Sequence, residues 1–434
     1  MNPRRNVLIV HCHDLGQHLG CYGVASVASP NLDAFATTGV RFVNSFCTSP
    51  SCSPSRAALF TGRYPHNNGV LGLCHSNFAW DLNPDEKHLA QILQSAGYET
   101  AAFGTLHETR SGPARAGYEH FDGRTDAVTA TENAIAFLQH RRRDQPFYMS
   151  VGYFEPHRIA PAGNATGDCD FIGAHLQPDV SRGLMIPGYL RDTAGTRQEL
   201  AELQGAIRHA DAQFGRLLKA VDELNTIVIF TSDHGIAMPR AKCSLYNPGI
   251  EVALLVRGPG WKGIRNELIS NIDVVPTLLE ALDLPVPPNV QGRSFVPLLT
   301  GQRYTTRTEI FAEMTYHDYY DPRRCIRTAT HKLIANFTTA YSFMDPSQSW
   351  RPRSDTTVPQ NHALTYHDPI ELYDLRQDRW EHSNLANQPE YAGVRCELLN
   401  RLRRHLIETS DPIFQGAVTN PQQRQTLAEL NAAE

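Results

Sequence analysis

Along the first two thirds of the chain, short apolar runs alternate with amphipathic stretches, and this alternation narrows the fold more than any other feature. Residues 6–10, 100–103, 147–151 and 226–230 read as short buried strands, whereas 87–96, 129–141 and 197–224 carry helical periodicity. In the last of these, Leu200, Leu203, Ile207, Ala210 and Phe214 mark one apolar face. Such an order calls for an α/β fold: a mostly parallel central sheet with helices on both faces, and ligands at the carboxyl ends of its strands. Segment 283–301, with several prolines and glycines, reads as a transition. After it, 309–313, 324–327, 332–336 and 371–373 are strand candidates separated by turns, followed by a helix near 392–406. The expected division is a catalytic α/β domain over 1–300 and a smaller C-terminal α+β subdomain over 301–434, an antiparallel sheet with one packed helix. Segment 339–367 is polar, contains proline and lacks periodicity, as a long loop would.

The 434 residues suffice to bury a substantial core, and 40 basic against 45 acidic side chains leave a formal charge of −5. That mild acidity argues against a nucleic-acid partner, which needs a broad basic surface. The run Val7-Leu8-Ile9-Val10 is far too short for a signal-peptide core or a span, and no later window nears the roughly 18 apolar residues that a span requires. A soluble protein of the cytoplasm, with no membrane partner, is the expectation, a removed leader aside. The nine cysteines are scattered, odd in number and without a CxxC pair, which points to a reducing compartment with neither a disulfide framework nor structural zinc.

The most informative stretch is Ser51-Cys52-Ser53-Pro54-Ser55-Arg56, continuing to Thr61-Gly62-Arg63. Ser53 reads as an N-cap, Pro54 as the first helical residue and Gly62 as the stop. Cys52 then sits just ahead of a helix N-terminus, where backbone N–H groups and the helix dipole favour anions, with Arg56 one turn in. The run resembles the sulfatase signature C-x-P-S-R followed by a helix ending in T-G-R. The resemblance implies that a maturation enzyme oxidises Cys52 to formylglycine and that Arg56 stabilises the product. Its hydrate carries two hydroxyls: one attacks sulfur in line, and deprotonation of the other expels sulfate and restores the aldehyde. A plain thiol could not release its product in this way.

Sulfatases open with a strand ending in two aspartates, then a loop running to L-G-C-Y-G. Here residues 6–10 lead into His11-Cys12-His13-Asp14, with Leu19-Gly20-Cys21-Tyr22-Gly23 downstream. Asp14 matches the second aspartate, and His13 stands in place of the first. Asp233-His234, after strand 226–230, matches the family's Asp with Asn or His. The resemblance implies one divalent cation held by Asp14, Asp233, His234 and residue 52, with His13 as a ligand or a supporting group. Calcium is the family's usual occupant of such a carboxylate site, while the imidazoles of His13 and His234 shift preference toward manganese, iron or zinc. His11 is read as structural.

Three further segments match. Gly104-Thr105-Leu106-His107 lies where the family has G-K-x-H, so His107 is retained and Thr105 replaces a lysine of the substrate pocket. Glu155-Pro156-His157 matches the P-H segment, and Lys242 the basic residue beyond the metal pair. By resemblance Lys242 binds the sulfuryl oxygens, His107 faces the hydroxyl being deprotonated, and His157 protonates the leaving atom. Histidine suits proton transfer because its ordinary pKa lies near neutrality. A cation clamping the transferring group contributes on the order of several kcal/mol. Thr105 therefore implies slower sulfate chemistry, compensation by Arg158 or Arg110, or a different anion.

Residues 231–249, 315–322 and 371–375 resemble the heparan N-sulfatase branch of the alkaline phosphatase superfamily, and the resemblance extends over almost the whole chain. It implies a small-molecule or oligosaccharide substrate bearing a sulfate ester or sulfamate, with His317, Arg323 and Arg324 lining the entrance. Two other readings stand beside it. One is a phosphonate monoester hydrolase or phosphodiesterase with the same formylglycine–metal apparatus; the other is a non-catalytic anion-binding relative in which Cys52 stays a thiol. An oligomer is left open.

Overall fold

Strand β1 (Asn6–Cys12) is buried throughout, and its successive side chains part to opposite sides of a sheet. Leu8, Val10 and Cys12 join an apolar cluster with the helices Pro30–Thr38, Ala127–His140 and Ala194–Ala220. Val7 and Ile9 join a second cluster with the helices Leu89–Ser95 and Val274–Ala281. Burial on both faces is why 6–10 reads as an unbroken apolar run. The structure, a computed structural model, describes residues 4–159, 170–171, 176–340, 353–357 and 366–432.

The other strands of this sheet are β2 (Val40–Phe46), β3 (Glu99–Gly104), β4 (His120–Asp122), β5 (Phe147–Tyr153), β6 (Thr226–Ser232), β7 (Leu254–Arg257) and β8 (Gly263–Ser270). Their order is β4-β3-β5-β1-β6-β7-β2-β8. Only β7 runs against the rest: it is antiparallel to both neighbours, β6 and β2. The expected mostly parallel sheet with helices on both faces is thus present. Strands β1, β3, β5 and β6 contain the four apolar runs, each lengthened by two residues. The sequence reading passed over β2, β4, β7 and β8. Strand β2 alternates buried and partly exposed residues, β4 is three residues long, β7 is four, and β8 is exposed over its first half. Of these, β2, β4 and β8 show no continuous apolar run, whereas β7 lies within the run Val252-Ala253-Leu254-Leu255-Val256, which the reading overlooked.

The second sheet contains β9 (Glu309–Tyr316), β10 (Tyr320–Thr328), β11 (His331–Asn336) and β12 (Ile370–Asp374), antiparallel in the order β12-β11-β10-β9. Helix Ala392–Glu408 lays Leu398, Leu402 and Leu406 against Ile326, Leu333 and Leu372 of this sheet. A further helix, Pro421–Asn431, was not anticipated, and none of its residues is buried. Of the expected loop 339–367, residues 341–352 and 358–365 lie outside the described residues. Among the described residues no helix is long and apolar enough to cross a membrane.

A buried ion pair ties the second sheet to the segment that follows β6. Lys332 Nζ lies 2.8 Å from Glu381 Oε1 and donates to the Leu245 carbonyl at 2.9 Å. Glu381 Oε2 in turn accepts from the Asn247 backbone N–H at 2.5 Å. The segment held in this way begins at Lys242.

Candidate active site

Parallel pairing brings the chemistry to one edge. Strand β1 registers Cys12 with Tyr153 of β5 and with Ser232 of β6, so these three strands end side by side. Strand β3 ends beside them, with Gly104 opposite Gly152. The residues that follow are His13 and Asp14, Phe154 to His157, Asp233 and His234, and Thr105 to His107. Gly104 and Gly152 permit the close approach. Gly104 has φ 87°, and a Cβ there would lie 2.1 Å from the Gly152 carbonyl oxygen, while one on Gly152 would meet His11 Cε1 at 2.6 Å.

Asp14 adopts a left-handed backbone with φ 49°, unusual for a residue with a side chain. The turn is held by hydrogen bonds from Asp14 N to Asp233 Oδ1 at 2.9 Å, from Leu15 N and Gly16 N to Ser232 Oγ at 3.1 Å, and from Gly16 N to the His234 carbonyl at 2.8 Å. A local conformation costing about 1–3 kcal/mol persists only where its surroundings dictate it.

Cys52 is the first residue of the helix Cys52–Thr61, with Ser51 at the N-cap and Gly62 closing the helix at φ 71°. This corrects the expected Ser53 cap: the helix starts two residues earlier, Pro54 lies in its first turn, and Cys52 stands inside that turn. Cys52 Sγ is 3.2 Å from His234 Nε2. His234 Nδ1 lies 3.0 Å from the Gly235 carbonyl, to which it can only donate, so the Nε2 lone pair faces Sγ and, at 3.3 Å, Asp14 Oδ1. Burial pushes the Cys52 thiol up to about 12, so an unmodified sulfur here would be protonated and weakly nucleophilic at neutral pH.

Arg56 is fully buried and contacts Asp233 Oδ2 from Nε at 3.2 Å and from NH2 at 3.1 Å. Its NH1 meets His11 Nδ1, while His11 Nε2 lies 3.0 Å from Ser150 Oγ. His11 thus braces Arg56 from the side away from Asp233. His13 Nδ1 lies 3.1 Å from Asp233 Oδ2 but has no hydrogen bond of proper geometry. Burial, aided by Arg56, lowers His13 to about 4, so it is neutral at pH 7.

Lys242 Nζ donates to Asp14 Oδ1 at 3.0 Å and Oδ2 at 2.8 Å, and lies 3.2 Å from His157 Nε2. Burial works to raise Asp14, but Lys242, His157 and His234 outweigh it and hold the carboxyl at about 2. His157 Nδ1 donates to the Arg158 carbonyl at 2.5 Å, and burial followed by Lys242 lowers its pKa to about 3. His107 Nε2 is 2.7 Å from His75 Nδ1, and its ring centre is 6.0 Å from that of His13. Thr105 Oγ1 is buried without a hydrogen-bond partner among the described residues.

Two overlapping groups could hold a cation: Asp14, Cys52, Asp233 and His234, and His13, Asp14, Cys52 and His157. Two buried carboxylates, an imidazole with its lone pair directed inward, and the buried, unsatisfied His13 Nδ1 form a donor set suited to a divalent metal.

The expected entrance residues part company. Arg324 forms a bidentate pair with Asp411, Nε to Oδ2 at 2.5 Å and NH2 to Oδ1 at 2.9 Å, inside the C-terminal layer. Arg323, its neighbour on the strand, points to the other face and pairs with Asp321. Both guanidiniums are buried, and Arg323 Nε has no hydrogen-bond partner among the described residues. His317, at the end of β9, acts on the charge of His75 and so lies on the same side as His107. Of the two arginines expected to compensate for a lysine at 105, Arg158 is buried and pairs with Glu199 at 2.6 Å, and the exposed Arg110 donates to the Ser76 carbonyl at 2.9 Å. Sequence reasoning missed His75, which lies in no recognisable pattern, and took His11 as merely structural although it touches Arg56.

Residues 5–284 match the family model described as Sulfatase, and the chain belongs to the sulfatase family, whose members generally use a metal and formylglycine. Its activity is that of a sulfuric ester or sulfamate hydrolase. Residues 239–349 also match the model described as N-sulphoglucosamine sulphohydrolase, C-terminal. Human N-sulphoglucosamine sulphohydrolase is 28% identical over 459 residues, covering 94% of this chain and 91% of that protein. A solved sulfatase-fold structure in complex with its substrate D-glucosamine-2-N,6-O-disulfate superposes with a TM-score of 0.70 at 20% identity, covering 94% of this chain and 98% of that one. The phosphonate monoester hydrolase of Agrobacterium radiobacter superposes with a TM-score of 0.68 at 21% identity, covering 94% and 96%. The two superpositions concern the fold.

Proposed function

We propose that this protein hydrolyses a sulfate ester or sulfamate on a saccharide, with formylglycine formed from Cys52 as the nucleophile. The observation carrying this reading is Cys52 in the first turn of its helix, 3.2 Å from His234 Nε2 and among the Asp14, Asp233 and Lys242 charges. The saccharide is supported by the 28% identical human N-sulphoglucosamine sulphohydrolase, which aligns over nearly its full length. Asp14, Asp233, His234 and residue 52 would hold the divalent metal, which would supply positive charge opposite the sulfuryl oxygens. Calcium is the family expectation, and the imidazole donors favour manganese, iron or zinc. An aldehyde hydrate at position 52 would supply a hydroxyl nucleophile and a second hydroxyl whose proton must be removed.

Arg56 fixes Asp233 and orients residue 52 through the helix that carries both. Lys242 binds the sulfuryl oxygens, exchanging part of its contact with Asp14 for the substrate. His107 takes the hydroxyl proton. His157 gives a proton to the leaving atom; the negative charge of a bound substrate opposes the burial that keeps the imidazole neutral. A phosphonate monoester or phosphodiester is the second reading, favoured by Thr105 in place of a lysine and by the pairing of Arg158 with Glu199.

Peptide mass spectrometry at position 52, with parallel turnover of aryl sulfate, N-sulfoglucosamine, aryl phosphonate and bis-aryl phosphate, tests the proposal. An aldehyde or its hydrate and faster sulfate or sulfamate turnover are expected, with no turnover by Cys52→Ala. Normal turnover with unmodified sulfur at position 52 would refute it. Metal analysis of protein purified without added metal decides the cation, and stoichiometric calcium alone would count against the imidazole argument.

A further inference from the structure

Backbone contacts place the His107 main chain: its N–H donates to Glu108 Oε2 at 2.8 Å, and Glu108 Oε1 is 3.4 Å from His88 Nε2. The one hydrogen bond to the His107 ring among the described residues is the 2.7 Å contact between its Nε2 and His75 Nδ1. The two rings lie 4.9 Å apart with 34° between their planes, and the His75 ring is backed by Phe78 at 5.3 Å. His75 is exposed, so its other nitrogen can keep its proton in water. Two neutral imidazoles in contact share one hydrogen, and the choice of donor decides what the inner ring can do with its remaining nitrogen.

We propose that His75 is a positioning residue for the hydrolysis, accepting at Nδ1 from His107 Nε2–H and thereby leaving the lone pair on His107 Nδ1 to take a proton. The opposite arrangement would put a hydrogen on His107 Nδ1 and leave no lone pair for the task. The proton passes from the residue-52 hydroxyl to Nδ1, while the Nε2 hydrogen stays on its nitrogen. The inference rests on the reading of His107 as the group that deprotonates this hydroxyl. Burial lowers the pKa of both rings, with His317 adding to the effect at His75 and Asp318 opposing it, so the neutral pair prevails at neutral pH.

The test uses the matured full-length enzyme and an aryl sulfate, whose leaving group needs no proton, so that the step served by His107 is isolated. Asparagine places its amide where Nδ1 stood, glutamine where Nε2 stood, and leucine offers neither. His75→Asn is expected to keep kcat within about 3-fold, while His75→Gln and His75→Leu lose roughly 10- to 100-fold in kcat at nearly constant KM. Combining His75→Leu with His107→Ala should lose nothing beyond His107→Ala alone. Wild-type kcat in His75→Leu, rescue by glutamine equal to that by asparagine, or a loss confined to KM would each overturn the inference. So would a fall in melting temperature that tracks the loss of kcat, since that marks a structural role. Full turnover by His107→Ala would instead refute the role given to His107, a distinguishable outcome.

Discussion

Lys332→Met removes one half of the buried pair that Lys332 of β11 forms with Glu381. Both partners have wholly buried side chains, and burial raises the Glu381 carboxyl even beside Lys332, so without that partner its charge persists only against a desolvation cost, with the Asn247 N–H and the Arg240 guanidinium nearby. Breaking a buried pair from one side costs about 3–5 kcal/mol, because the remaining charge is desolvated without compensation. With an unfolding entropy of about 2.1 cal/mol/K per residue over 434 residues, this corresponds to a fall of about 3–6 °C in melting temperature. Heat unfolding followed by calorimetry measures it. Adding Glu381→Gln removes the stranded charge and keeps an oxygen for Asn247, so the double variant should regain about half of the loss. The Leu245 carbonyl loses its donor in both variants, and kcat at 25 °C should fall because Lys242 lies at the start of the same segment. A melting temperature within about 1 °C of wild type for Lys332→Met, or a double variant that falls by the sum of the single losses, would refute this reasoning.

Thr105→Lys should raise aryl sulfate turnover by roughly 10-fold if the missing cation limits charge stabilisation, as a kcat/KM measurement would show; no change would mean that the position is compensated. Glu371 accepts from the Tyr246 and Tyr373 hydroxyls at 2.8 and 2.6 Å and from His367; burial opposes ionisation, but these partners hold it at about 2. A carboxyl lowered on folding contributes stability that is complete above its ordinary value of 4.5 and lost as pH falls toward 2. Glu371→Gln should therefore flatten the decline in urea-measured stability across that window by on the order of 3 kcal/mol. Asp14→Asn halves the carboxylate charge at the metal site and should lower metal content at least tenfold by elemental analysis without unfolding the protein.

The parallel core was legible because strands buried on both faces write themselves as uninterrupted apolar runs, as β1, β3, β5 and β6 do. Strand β2 carries no such mark because it alternates, while β7 lies in the apolar run 252–256 and was legible as a strand, its antiparallel direction showing only in the pairing with β6. The site was legible where it coincided with strand ends. His13, Asp14, His107, His157, Asp233 and His234 all follow a parallel strand, and the register of β1 with β5 and β6 and of β3 with β5 gathers them. Side-chain direction was not legible. Arg323 and Arg324 are adjacent in sequence, but alternation along β10 sends them to opposite faces, and neither partner, Asp321 or Asp411, is implied by spacing. His75 escaped because nothing in its local sequence announces a contact with a residue 32 positions away.

The first helix of the site is made long before its companions. Cys52 is 182 residues ahead of His234, and Arg56 is 177 ahead of Asp233. At a synthesis rate of about 5–20 residues per second, the thiol waits roughly 10–40 s on the growing polypeptide before the groups that enclose it exist. During that interval the sulfur is open to any reagent able to act on an extended segment; afterwards it is walled in at 2% exposure. Translation speed between these two stretches therefore becomes a control on how much of the enzyme emerges chemically competent.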